Sequence, residues 1–148
     1  MTWCGRESLL ENTVMATRPV EIGPTGKQAA RNIERLRSML SISQRQLAAR
    51  LTELGRPTPS TALSKIGRGQ RRVDVDDLVA IAIALGVSPS TLLLPAVADA
   101  SKVEVTGAGT VTARAAWDWA DGISLLAPAD GRRGQRPASP LRFIPSRP

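Results

Sequence analysis

Residues 43–72 read SQRQLAARLTELGRPTPSTALSKIGRGQRR. Ser43 and Gln46 are three apart, so the serine hydroxyl can accept from the Gln46 N–H while the glutamine side chain reaches back, the capping box of a helix start. Ile42 and Leu47 flank that box as a hydrophobic staple. Leu47, Ala48, Leu51 and Leu54 supply the helix's buried side, and Gly55 and Pro57 end it. A further helix opens with Thr58 as cap and Pro59 at the first helical position, where a missing N–H costs nothing. Leu63 and Ile66 face inward, leaving Ser60, Thr61, Ser64, Lys65 and Arg68 outside. Gly67 and Gly69 stop this helix, and Gln70, Arg71 and Arg72 follow. The stretch is thus two short capped helices joined by a Gly/Pro turn and closed by a basic run.

Upstream, a longer helix is expected from Thr25, because Ala29, Ile33, Leu36 and Leu40 recur at spacings of three and four. Lys27, Arg31, Arg35 and Arg37 cover its other faces, and Ser41 breaks it where glycine is usual. Residues 1–24 form no sustained pattern and read as a flexible leader, interrupted at Pro19, Gly23 and Pro24, with Met15 a candidate start and Trp3 and Cys4 on a loose end. Downstream, Asp74 caps a helix that is apolar nearly all round, from Val75 through Leu85, and is therefore expected to be the central buried one. Gly86 stops it, and Ser88 with Pro89 opens a fifth short helix ending in Leu92, Leu93 and Leu94, with Pro95 closing the unit. Beyond it the period changes to two. Val103, Val105, Val111 and Ala113 alternate around Gly107-Ala108-Gly109, which predicts a β-hairpin over 102–106 and 110–114. Two strands alone are marginal, so the hairpin needs a surface to lie on. Residues 115–121, AAWDWAD, suit a short helical turn bringing Trp117 or Trp119 onto that surface. From Pro128 the chain is rich in Pro, Gly and Arg without an apolar period and reads as disordered.

The predicted fold class is therefore all-α: five helices over 25–95, a hairpin and short Trp-containing helical segment over 96–127, and disordered ends over 1–24 and 128–148. Aromatic residues make up only 3% of the 148, with no Tyr, so the core must be built from Leu, Ile, Val and Ala. The formal charge of +7 is unevenly spread: residues 25–72 hold eleven basic against two acidic side chains, a net +9, while 73–148 hold seven against eight, a net −1. Such a charge suits nucleic acid, an anionic membrane or mere solubility alike, and its positive field sits on the first part. With one Cys and no His, neither an internal disulfide nor Cys/His metal spacing can be assembled, and no nucleophile–base constellation is present. Neither a cofactor nor an enzymatic activity is expected. No apolar run approaches the roughly 20 residues of a membrane span, and a reducing, cytoplasmic setting is the expectation.

L36-R37, S43-Q44-R45-Q46-L47-A48, L63-S64-K65-I66-G67-R68-G69 and D77-L78-V79-A80-I81-A82-I83-A84-L85-G86-V87-S88, in this order and spacing, resemble the helix-turn-helix regulators of the Cro and phage-repressor type, the XRE family. The resemblance covers about residues 25–95 and implies a lambda-repressor-like domain that reads double-stranded DNA. Two departures stand out. The family commonly carries Glu after the Ile of the third helix, in an I-E-x-G pattern, paired with the arginine that Arg37 matches. Here the position is Gly67, which predicts that Arg37 is released towards phosphate. The connection Thr52 to Thr58, TELGRPT, is also longer than the family turn. It resembles an extension of actinobacterial members, as does the WDWADG of 117–122.

On that resemblance the third helix enters the major groove, with Ser60, Thr61, Ser64 and Lys65 towards the bases and Lys65 the sharpest candidate, for a guanine. Gln44, at the start of the second helix, and Arg45, Arg68, Arg71 and Arg72 are the expected phosphate contacts. One short helix reads few base pairs, so a homodimer acting as a repressor at an operator is expected. Its interface is either the Leu92–Leu94 helix or the hairpin and Trp segment. The alternative is an antitoxin-like protein-binding module that uses the helices as scaffold and binds a partner through 117–126.

Overall fold

A computed structural model describes residues 21–126. Of the expected leader, 1–24, residues 1–20 with Trp3, Cys4 and Met15 lie outside the described residues, as do residue 127 and the expected tail, 128–148.

The elements run α1 (Pro24–Met39), α2 (Gln44–Glu53), α3 (Ser60–Gly67), α4 (Val75–Leu85), α5 (Pro89–Leu93), β1 (Lys102–Val105), β2 (Gly109–Thr112) and α6 (Ala113–Ala120). The described residues are mostly helical, with one small antiparallel two-stranded sheet among them, after the first five helices. Pro24 does not interrupt a helix as expected; it is the first residue of α1, behind Gly23 as N-cap. At that position proline removes only an N–H that has no helical partner. The capping box of α2 is formed: Ser43 Oγ accepts from the Gln46 N–H (3.1 Å) and Gln46 Oε1 from the Ser43 N–H (2.7 Å). Asp74 caps α4 through the Asp77 N–H (2.7 Å), and Ser88 caps α5 through the Thr91 N–H (3.3 Å).

Thr58 is not the cap of α3. Pro59 takes that place, its carbonyl accepting from the N–H groups of Ala62 and Leu63, while the buried Thr58 hydroxyl donates to the Arg56 carbonyl (3.2 Å). The ends of α1, α2 and α3 share one geometry, in which the residue after the C-cap is left-handed and the next N–H returns to the helix. Gly55 and Gly69 take that conformation at the ends of α2 and α3, and Ser41, with φ 53°, takes it at the end of α1.

Five helices enclose a core of Ile33, Leu36, Ile42, Leu47, Leu51, Leu63, Ile66, Ile81, Leu85 and Leu92. Leu40 and Leu54, expected inside, are exposed. Each is the C-cap of its helix, where the chain turns and carries the side chain off the buried stripe. Nor is α4 buried all round. Helices α1, α2 and α5 cover one side, and Val75, Val79 and Ile83, four apart, face outward.

The hairpin lies against α1 and α6 and has its own core of Leu94, Val103, Val105, Ala108, Val111, Ala113 and Ala116, with Trp117 and Leu126 packed on it. Each strand ends earlier than predicted, β1 at Val105 and β2 at Thr112, and β2 begins one residue earlier, at Gly109. Thr106 leaves the ladder to bond α1, its N–H donating to Thr25 Oγ1 (2.9 Å) and its Oγ1 accepting from the Thr25 N–H (3.2 Å). Thr112 caps α6, so Ala113 is helical. Trp117 Nε1 donates to the Pro95 carbonyl (3.3 Å), whereas Trp119 is exposed. Between the two cores Asn32, 2% exposed, donates from Nδ2 to the carbonyls of both Leu92 and Leu94, each at 2.9 Å.

Candidate nucleic-acid interface

The outward face of α3 follows from its inward one. Ala62, Leu63 and Ile66 are buried, so Thr61, Lys65 and Arg68, at helical spacings of four and three, fall on the opposite face and are exposed. Ser60 and Ser64 sit half-buried at the edges. Arg68 folds back along the helix, donating from Nη2 to Ser64 Oγ (2.8 Å) and from Nε to the Ser64 carbonyl (3.2 Å). Ser64 and Arg68 are thus one polar unit, and Lys65 stands beside it without an ion pair among the described residues.

Helix α2 packs on α3 through Leu47, Leu51, Leu63 and Ile66 and presents Gln44 and Arg45 in its first turn. Gln44 is half-buried and Arg45 exposed. The Gln46 N–H is taken by Ser43, which leaves those of Gln44 and Arg45 at the positive end of the helix.

The run after α3 is more engaged than its sequence suggests. Arg72 donates to the Glu21 carbonyl, its Nε at 3.1 Å and its Nη2 also bonded. Arg71 Nη2 lies 3.6 Å from Oδ2 of Asp77, a carboxylate only 4% exposed. The other oxygen of Asp77 accepts from Arg56 Nε (2.9 Å), and Arg56 Nη2 donates to Asp74 Oδ2 (2.9 Å). The long connection between α2 and α3 therefore has a purpose that its composition does not reveal: Arg56 pins it to the start of α4. The hydrogen bond to Asp77, then the charge of Asp74, raises the Arg56 guanidinium above its ordinary value. The Asp77 N–H holds the Asp74 carboxyl below its own ordinary value, and the charge of Arg56 adds to this against partial desolvation.

Arg37 is not released towards phosphate. Its Nη2 pairs with Glu34 Oε1, its Nε lies 3.4 Å from Glu34 Oε2, and its Nη1 donates to the Ile42 carbonyl at 2.7 Å. The missing carboxylate of α3 is supplied by α1. The spacing of Glu34 and Arg37, three apart on a helix, carried that signal. Arg56 could have been matched to Asp74, Asp76 and Asp77, the densest acidic group in the chain. Asn32 had no such signal, since its partners are backbone carbonyls sixty residues on.

A family model described as helix-turn-helix matches residues 33–92, from the middle of α1 to α5. No curated protein and no solved structure matches the chain.

Proposed function

We propose that this chain, whose residues 33–92 match a helix-turn-helix family model, is a regulator of the XRE type that binds double-stranded DNA in a sequence-specific way and controls transcription. The observation that carries the reading is the outer face of α3, where Thr61, Lys65 and Arg68 stand exposed on a helix whose other side is locked into the core. In the major groove Lys65 donates to guanine O6 and N7, with Ser60, Thr61 and Ser64 beside it as hydroxyl donors and acceptors. Gln44 and Arg45 at the start of α2 and Arg68 at the end of α3 hold the flanking phosphates, and Arg71 and Arg72 join them by leaving the Asp77 carboxylate and the Glu21 carbonyl. Two copies on one face of the duplex, about 34 Å apart, read an operator and repress by occupying it. The protein then works at the nucleoid, in the cytoplasm.

Selection of bound sites from random duplex DNA tests this reading. A recovered palindrome supports readout by a symmetric dimer, and failure to enrich any sequence counts against it. The exposed Trp119, Ile123 and Leu125 favour a second reading, a protein partner held by the end of α6 as in an antitoxin. A stoichiometric partner retained on the tagged protein, and lost with Trp119→Ser, would support that alternative.

A further inference from the structure

Beyond the helix-turn-helix, the positive surface continues onto the hairpin. A hollow of about 320 Å³ opens between α1 and β1, lined on its polar side by Lys27, Gln28, Arg31, Ser101, Lys102 and Glu104. Lys27 and Arg31 also line a second hollow, against Gly67, Arg68 and Gly69 at the end of α3. The two hollows share these cations, so one strip runs from Arg68 past Arg31 and Lys27 to Lys102. Arg31 donates to neutral Gln28 Oε1 (2.7 Å), and among the described residues none of the four cations is in an ion pair.

Lys102 is unusual for its surroundings. Residues 73–126 hold seven acidic side chains and only two basic ones, Lys102 and Arg114. Arg114 is committed to Asp99 (3.6 Å) and Asp118 (3.3 Å). The one unpaired cation of this acidic part, among the described residues, thus lies on the strand facing α1. The mutual bonds of Thr25 and Thr106 hold that strand there.

We propose that Lys27, Arg31 and Lys102 form an extension of the DNA-binding surface that takes backbone phosphates outside the segment read by α3, so that the hairpin is part of the interface. This rests on the DNA-binding reading above. A strip of cations suits a polyanion, whose phosphates recur along its length, whereas a small anion needs donors converging on one point. Glu104, on the outer face of β1 two residues from Lys102, opposes the same phosphates.

The test uses the full chain and a mixed-sequence duplex of about 30 bp, titrated between about 50 and 200 mM salt. The triple variant Lys27→Ala, Arg31→Ala, Lys102→Ala is expected to lower the steepness of log K against log salt by about 2 to 3 and to weaken binding at least tenfold at the low-salt end. Glu104→Gln is expected to move affinity the other way, a gain that loss of folding cannot imitate. Wild-type binding with unchanged salt slopes in both variants would overturn this inference and leave the DNA-binding reading standing. Absence of wild-type binding to any duplex would overturn both. Saturable binding of inorganic phosphate to the DNA-free protein, abolished in the triple variant whose DNA slope is unchanged, would assign the strip to a small anion instead and also overturn it.

Discussion

The carboxylate of Glu34 occupies the space that Gly67 leaves open: a Cβ built on Gly67 would stand 3.1 Å from Glu34 Oε2. The pair that the resemblance places between α3 and α1 is thereby rebuilt within α1, between Glu34 and Arg37, and Gly67 is the vacancy that admits it. Gly67→Glu, a return to the family residue, is expected to destabilise the fold by about 1–3 kcal/mol, through crowding and like charge. With Glu34→Ala in the same chain most of that loss should disappear, a coupling of about 0.5–3 kcal/mol measurable by urea unfolding. Additive losses would show that the two positions do not compete for one space.

Arg56→Ala should lower the urea midpoint, because it strips the buried Asp77 of its closest cation. The long turn would also lose its fastening to α4, so affinity for DNA should fall. The salt slope should not change, since Arg56 is occupied by carboxylates rather than phosphates. A lowered slope would make Arg56 a phosphate contact.

Asp74 gives a signed dependence on pH. Its carboxyl lies lower in the folded than in the unfolded chain, so near the ordinary value of about 3.9 the unfolded chain binds more protons and stability rises with pH. The contribution is complete above about pH 5 and is lost as the solution is acidified through the folded value. Asp74→Asn keeps a cap oxygen but removes the charge. It should therefore flatten the acid limb of a stability–pH curve while lowering the neutral plateau. An unchanged acid limb would count against this account.

Asn32→Ala should cost about 1–3 kcal/mol in urea unfolding, because two buried carbonyls, those of Leu92 and Leu94, lose their donor. Asn32→Asp should be worse than alanine at neutral pH, since it sets a carboxylate against the same carbonyls. Equal losses would mean that water reaches the site.

For Lys65→Ala, direct readout predicts relaxed preference at one base pair, with about 1–3 kcal/mol lost on the preferred site. A uniform loss on all duplexes would make Lys65 a phosphate contact. The slope of log K against log salt should be near −4 to −5 from the helix-turn-helix contacts alone, with about four to six neutralised phosphates per protomer, and steeper by about 2 to 3 where Lys27, Arg31 and Lys102 also take phosphates.

What could be read from the sequence was local. The capping box at Ser43, the caps at Asp74 and Ser88 and the left-handed stop at Ser41 depend on neighbours within a few residues, and each stands where its pattern placed it. The outward set on α3 was legible because Leu63 and Ile66 define the opposite side. Leu40, Leu54 and the outer stripe of α4 were misplaced because periodicity says which residues share a face, not where a helix ends or how many neighbours cover it. Arg56 and Asn32 were missed because their partners are brought in by packing, whereas Arg37 was misread although Glu34 stands three residues away on the same helix. The bonds of Arg56 and Asn32 span from eighteen to sixty-two residues of chain.

Helix α1 is a party wall. One side of it closes the core under α3, while Thr25 at its start and Asn32 in its middle fasten the hairpin and the exit of α5. The helix-turn-helix is consequently not a cassette that can be transplanted by cutting after Pro95. Such a graft would uncover Leu94 and leave Thr25 without its mate, so chimaeras of this protein should be joined beyond α6 or rebuilt at both residues.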